Sequence, residues 1–598
     1  LRSLALSPLA SLATTNLLAM WSEQVTGSVG VALTATIQVA LGVAGAVIAL
    51  RDWRTRSAAV AGWKVVAIAA SAVSVLVLLI LGLSGAVTYT PNDDGIRHAT
   101  ILSRLLDVRT LDAAALTPGD LLTGSLAESY YPTGLHVSAG IVSQLSGVAP
   151  STALMICSLG AVGVAFPAGS ALLALRLTSD GSAASFASIV ALTAPAMSLA
   201  VLWWGGLPLL VATCATPALI EAALSKETST LRTGIALMLM SCGIFVTQTG
   251  QWLIVIGVAV LGAATQLWIE RASSERTSAS RIGWLLAGPV LAAPTLPAVV
   301  AQGRERAADE GFGTVPPIRS LGELLQGIVL PSPVGATYLL LAALVGAILC
   351  LARKRAIFAV MLMSLTFVIP VLMTGTGVLG DLAGLPFYGV PRRVAPLAAL
   401  WLPTLAGVAL AAAWSKIKAP GPSVSRPELV GLAAVVAVTG SVLAMGAWST
   451  IYTVGSVEDR VAFVSEGDRQ AFTWLAENLA PDQRVLNDRD DMSRWAYVTD
   501  RVPTVHGIKP AYGWIGPEWE GATAVLQALP GGVDPEVQRG LDQLSARYVI
   551  TSERSLNADD SLIAPSNLRG ACGLDEVFAS GDVAIFEVSK SPCGEQGT

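Results

Sequence analysis

Polar residues are scarce over the first three quarters of this chain, and they come in short bunches between long apolar runs. A membrane span needs about 20 mostly apolar residues. The pattern predicts about thirteen spans, over 2–20, 28–50, 65–88, 151–175, 186–203, 206–224, 233–249, 252–269, 282–301, 336–352, 356–379, 394–413 and 428–450. The first carries the weakest signal, being rich in Ser and Thr. From about residue 455 charges become frequent and the apolar runs shorten. Asp468–Leu479 reads as an amphipathic helix and Arg484–Leu486 as a strand. Leu541–Ala546 leads into a strand at Arg547–Ile550, and Leu574–Ala579 and Val583–Val588 read as a strand pair. Such alternation predicts an α/β domain over 455–598 after a polytopic helical part over 1–454.

Composition strengthens this picture. Charged residues make up 13% of the chain, against about 25% in an average soluble domain. Mean hydropathy is +0.63. The fold class expected is an α-helical multi-pass membrane protein with a C-terminal extracytoplasmic α/β domain, placed in the plasma membrane. Basic clusters then orient it. Arg51, Arg54, Arg56 and Lys64, then Lys226 and Arg232, then Arg271, Arg276 and Arg281, then Arg353-Lys354-Arg355, then Lys416, Lys418 and Arg426 fall on alternate connections, which the positive-inside rule makes cytoplasmic. The long loop 89–135, loop 302–335, the turn 380–393 and everything after about 452 face outward. No basic stripe with interleaved aromatics suggests a nucleic acid. The chain begins at Leu1 rather than Met, and a further span or signal anchor is expected ahead of it. Cys157, Cys214, Cys242 and Cys350 sit in apolar runs, as small buried hydrophobes do. Cys572 and Cys593 flank the last strand pair, and in an exported region they would form a disulfide.

Candidate chemistry gathers on the outward side, where all three histidines of the chain fall. Asp93 and Asp94 stand where a span ends and a helix over about 94–107 begins. Asn92 or Asp93 suits an N-cap, whereas Asp94 and His98, four apart, share a helix face, so the carboxylate can serve as a base or orient the imidazole. Tyr130-Tyr131-Pro132-Thr133-Gly134-Leu135-His136 predicts a turn that delivers Tyr131 and His136 to the same boundary, although tyrosines also serve as interfacial belt residues. Tyr388 to Arg393 places Arg392 and Arg393 on the face that the charge rule disfavours, suited to a lipid phosphate or to a snorkelling anchor. Asn487 to Tyr497 gives an acidic turn without the full EF-hand pattern; Trp495 and Tyr497 could stack on sugar or pack in a core, and His506 and Lys509 follow. No Walker A motif, nucleophile elbow or zincin helix is present.

An acidic pair opening the first large outer loop, many spans and an exported α/β domain together resemble the GT-C superfamily of membrane glycosyltransferases. More closely, Asp94-x-x-x-His98, Tyr131-Pro132-x-Gly134-x-His136, the Tyr388…Arg393 turn and Asn487…Ser493-x-Trp495-x-Tyr497 resemble a poorly characterised actinobacterial multi-pass family of cell-envelope glycan assembly, from about residue 65 to the end. Two features depart from the pattern. More than one span precedes the acidic loop, and Gln248-Thr249-Gly250 stands where the closer relatives would carry another His.

The resemblance implies transfer of arabinofuranose, mannose or an amino sugar from a polyprenyl-phosphate donor to an envelope glycan such as arabinogalactan, with inversion and without a resident metal. Asp93 or Asp94 would take the acceptor proton. Arg393, with Arg392 or His98, would steady the leaving phosphate, and Tyr131, His136, Tyr388, Trp495, Tyr497 and His506 would line the substrates. A lipid-linked glycan transporter or a non-catalytic assembly protein are the alternatives, and the oligomeric state stays open.

Overall fold

The computed structural model is mostly helical. It describes residues 2–30, 33–40, 93–117, 131–193, 206–225, 230–270, 275–301, 317–329, 333–374, 391–417, 464–488, 491–507, 517–554 and 563–589, with isolated positions 43, 64, 68, 380, 383, 387 and 593. Of the predicted spans, 428–450 and, apart from position 68, 65–88 lie outside the described residues, and 28–50 is represented by a helix over 33–40. Each of the others coincides with a described helix over all or part of its length. Among the described residues four helices are long and apolar enough to cross a membrane: Pro150–Thr178, Thr249–Gln266, Ala279–Ala301 and Arg393–Lys416.

Local chemistry sets the helix ends. Pro150 occupies the first turn of its helix, where a missing N–H costs nothing. That helix stops at Ser179, held left-handed at φ 55°, and the Asp180 carboxylate accepts from the Ser182 amide at 2.8 Å to start the next helix, Gly181–Thr193. At its far end Leu207–Ala223 is capped across chains of sequence: Arg281, 1% exposed, donates to the Ala222 carbonyl at 3.0 Å and to that of Ser225. A cation there complements the negative end of the helix dipole. Helices Pro333–Ala352 and Ala398–Ile417 meet backbone to backbone at Gly346, where a Cβ would lie 1.9 Å from the Leu405 carbonyl oxygen.

The C-terminal residues build a four-stranded sheet in the order β1-β2-β4-β3, from β1 Arg484–Asn487, β2 Ala546–Ser552, β3 Leu574–Ser580 and β4 Val583–Val588. β1 runs parallel to β2, and the remaining pairs are antiparallel. Successive strand side chains face opposite ways. Leu486, Val549, Ala584 and Phe586 enter a core closed by helices Pro517–Ala528 and Pro535–Gln543. Val485, Tyr548, Ile550, Val583 and Ile585 enter a second core that continues into Ile96, Leu102 and Leu105 of helix Asp93–Val108 and Leu135 of helix Gly134–Ser146. One face of the sheet is thereby fused to the helical body.

Ser465 and Asp468 form a reciprocal capping box on helix Glu466–Asn478, and Asp468 also meets Arg554 at 2.7 Å. Cys572 and Cys593 are joined in a disulfide, 21 residues apart in sequence. Closing a loop of that length stabilises by about 3 kcal/mol. The Cys572→Ser, Cys593→Ser double variant is therefore expected to unfold at a lower temperature than the parent, and reductant should lower the parent's midpoint by a similar amount without affecting the variant.

Candidate functional site

Helix Asp93–Val108 and helix Gly134–Ser146 lie against one another. Their packing brings three predicted residues together. The Tyr131 hydroxyl lies 2.8 Å from Nδ1 of His98, and the same Nδ1 lies 3.1 Å from Nε2 of His136. A single ring nitrogen either donates one proton or accepts through one lone pair, so the protonation states of the three groups are coupled. The Arg97 guanidinium stands over the Tyr131 ring at 5.6 Å from its centroid, within cation–π range.

The turn that carries Tyr131 is braced from two directions. Asn16, buried in the first helix Arg2–Thr26, donates to the Thr133 hydroxyl at 3.3 Å. Gly134 sits so close to helix Leu231–Thr247 that a Cβ would lie 3.0 Å from the Thr247 hydroxyl and from the Val246 carbonyl oxygen. The first helix also fixes the other end of the site: the Glu23 carboxylate accepts from the Thr110 hydroxyl and, at 2.8 Å, from the Leu111 amide. The Ser- and Thr-rich character that weakens its span signal thus includes an asparagine used as a strut. Sequence reasoning passed over Asn16, Glu23 and Thr133 because nothing local marks their partners.

Burial decides what the histidines can do. His98 is 6% exposed and His136 fully buried. Desolvation, then the His136 ring and the Arg97 charge, hold His98 well below the usual imidazole range. Desolvation pushes His136 down to about 3, against a smaller raising effect from the Pro132 carbonyl, to which His136 Nδ1 makes no well-aligned hydrogen bond. Both rings are neutral at pH 7. His98 is therefore a hydrogen-bonding partner and not a cation for a phosphate. Its Nδ1 also faces Tyr131 and His136, whereas the four-residue spacing had suggested an Asp94 pair. Asp94 stays partly exposed one turn earlier, while the ring of His98 turns into the packed face.

A base whose folded pKa is depressed binds fewer protons in the native state, so stability rises with pH between the folded and unfolded values. For His136 that window runs from about 3 to the ordinary 6.5. Each such histidine contributes a slope of about 1.4 kcal/mol per pH unit. The protein should lose thermal stability on acidification from pH 7 to pH 5, and His136→Gln should flatten that dependence in matched melting curves.

The other predicted residues are placed as follows. Asp93 begins its helix, and its side chain, like that of Arg392 and the whole of Tyr388, lies outside the described residues. Arg393 is partly exposed in the 3-10 segment Pro391–Leu397, which packs against helix Pro317–Val329 and helix Ile357–Leu372. Trp495 is 1% exposed and belongs to the core shared by sheet and helices, so its ring has no free face for a sugar. His506 is fully buried and ties β1 together: its amide donates to Asn487 Oδ1 at 2.8 Å, its Nδ1 faces the Asn487 carbonyl at 2.7 Å, and Asn487 Nδ2 donates to its carbonyl at 2.9 Å. It is a strut of the C-terminal sheet. In the acidic turn the Asp491 carboxyl caps Ser493, and burial, then Asp488, push its pKa up. Among the described residues no group of three or more His, Cys, Asp or Glu side chains could hold a metal ion.

Tyr497 meets the far end of the helix that carries His98. Its hydroxyl donates to Asp107 Oδ2 at 3.3 Å and accepts from Arg104 at 3.4 Å, both on the helix that carries His98. Arg501 completes the contact with Asp107 at 2.9 Å.

Several solved structures share this architecture. The oligosaccharyltransferase AglB from Archaeoglobus fulgidus, in complex with an inhibitory peptide and a dolichol-phosphate, aligns at a TM-score of 0.50 and 12% identity, over 80% of this chain and 69% of that one. Its apo form gives 0.52 and 10%, over 81% and 69%. The arabinofuranosyltransferase AftD from Mycobacteria gives 0.56 and 16%, over 90% of this chain and 42% of that one. All are GT-C glycosyltransferases. At such identities the likeness establishes the fold. No curated protein matches the sequence. The family model described as "Family of unknown function (DUF6541)" matches residues 1–590. With a match running over nearly its whole length, the chain belongs to the DUF6541 family, built on the GT-C fold.

Proposed function

We propose that the chain is an inverting glycosyltransferase, moving a sugar from a polyprenyl-phosphate donor to a cell-envelope polysaccharide or glycolipid at the outer face of the plasma membrane. The observation that carries this reading is the meeting of the Asp94–His98 helix with the Tyr131–His136 turn on a fold shared with AglB and AftD. Asp94, assisted by Asp93, takes the proton of the acceptor hydroxyl as its oxygen attacks the anomeric carbon. The bond from that carbon to the phosphate oxygen breaks, and Arg393 with Arg392 receives the lipid phosphate, for which a guanidinium is geometrically suited. One displacement inverts the anomeric centre and needs no covalent enzyme intermediate. The neutral His98–Tyr131–His136 cluster, whose His98 follows Asp94 by one helical turn, holds the Tyr131 turn against the helix.

In the same reading the chain crosses the membrane about thirteen times. Residues 455–598 form an extracytoplasmic domain that helps bind the acceptor, and no resident metal takes part. The test is purified protein in nanodiscs with a panel of polyprenyl-phosphate arabinofuranose, mannose and amino-sugar donors and an envelope-glycan acceptor. One donor should give acceptor-dependent release of polyprenyl phosphate, and prior chelation with EDTA should leave its rate unchanged. Movement of labelled donor across vesicles with no acceptor present would support a transporter instead.

A further inference from the structure

We infer that Tyr497 and Arg501 are positioning residues: through Arg104 and Asp107 they hold the helix that carries Asp94 and His98 in register with the Tyr131–His136 turn. The inference rests on the proposed transferase reading, and it recasts Tyr497, which the sequence had offered as a sugar-stacking residue.

Arg104 and Asp107 lie three apart on helix Asp93–Val108 and so are surface neighbours. Tyr497 sits between them, accepting from Arg104 and donating to Asp107. Arg501 is paired with Asp107, covers the Tyr497 ring at 5.7 Å from its centroid, and donates to the carbonyls of Tyr497 and Val498 at 3.3 and 3.1 Å. It adopts a left-handed φ of 59° as the C-cap of helix Ala496–Asp500. Arg104 is anchored in turn on the Ala115 carbonyl, at 3.1 Å from Nη2. Beneath this polar layer Trp495, Ala496 and Val498 share a core with Ile96, Ile101, Leu102 and Leu105.

Asp107 lies nine residues beyond His98. At 1.5 Å per residue that is roughly 13 Å along the axis, too far for Tyr497 or Arg501 to reach a group reacting at Asp94. Their effect on chemistry passes through the helix. With Glu23 fixing Thr110 and Leu111, the C-terminal end of this helix is held from both sides. Catalysis is sensitive to misplacements of about 1 Å, so loosening that end should cost rate and not substrate affinity.

The experiment uses the full chain in nanodiscs, with Tyr497→Phe, Arg501→Gln, Asp107→Asn and the pair Tyr497→Phe with Asp107→Asn. Tyr497→Phe keeps the ring in the core and removes only the two hydroxyl contacts. Amide exchange is followed over 93–108, and transfer is measured with the donor identified above. The expected result is exchange over 93–108 at least threefold faster in each variant and kcat reduced about tenfold. KM for both substrates should stay within twofold, and Arg501→Lys should recover part of the loss. Arg547→Gln, which removes an ion pair with Glu587 at the sheet surface, should change nothing. Unchanged exchange over 93–108 would overturn the inference, as would a raised acceptor KM at constant kcat, which would make these residues substrate contacts. If the parent protein transfers no sugar, the proposed activity fails while the exchange measurement still decides whether the clamp exists.

Discussion

Asp94→Asn should abolish detectable sugar transfer while leaving the protein folded and inserted. The amide keeps the size of the side chain and its ability to accept a hydrogen bond, but it cannot take a proton at neutral pH. Removing a general base lowers rates about 10²–10⁴-fold. In the proposed mechanism Asp94 plays this part: it stays partly exposed, whereas His98, one turn further along its helix, and His136, on the neighbouring helix, are buried and neutral. Release of polyprenyl phosphate should disappear in the variant, while its melting curve and elution volume match those of the parent. Undiminished product from the Asp93→Asn, Asp94→Asn double variant would remove the enzymatic reading altogether.

Trp495→Ala should destabilise the protein by about 3–5 kcal/mol, the usual cost of emptying a core site occupied by a large aromatic. Trp495 is among the largest fully buried side chains, in the core that links the C-terminal sheet to the His98 helix. The loss should therefore be visible in denaturant or thermal unfolding of purified protein and should be largely restored in Trp495→Phe. An unchanged midpoint together with a raised acceptor KM would return this residue to the substrate surface, the other place that the sequence offered for it.

That contrast marks how far the sequence can be read. Periodicity located the elements well where they are long or alternate cleanly. A helix expected over 94–107 spans Asp93–Val108, one expected from Asp468 runs Glu466–Asn478, and the last two strands fall at Leu574–Ser580 and Val583–Val588. It did not mark helix Pro317–Val329, inside loop 302–335, or helix Pro517–Ala528, in a stretch given no element; both begin at a proline. Proline fits the first turn of a helix, so it breaks only what precedes it. For the site, scarcity of histidine and a Pro-Gly turn were enough to nominate His98, Tyr131 and His136. Which nitrogen faces which partner was not legible, because spacing offered His98 only Asp94, and Tyr131 stands 33 residues further on. Aromatic residues near an acidic turn carried no sign of depth either, and burial separated Trp495 and His506 from any ligand. The Tyr497–Asp107 contact joins positions almost four hundred residues apart, a pairing that no local pattern encodes.

The two-faced sheet has a consequence for how this gene can vary. In β2, Tyr548 and Ile550 serve the core shared with the His98 helix, and Val549 serves the other. A slip of one residue moves every strand side chain to the opposite face. A single-codon insertion or deletion within β2 would therefore spoil two cores at once and act as a null allele of a site encoded far upstream. Neutral length changes in the family should accordingly collect in the connections between strands, leaving the strands themselves fixed in length as lineages diverge.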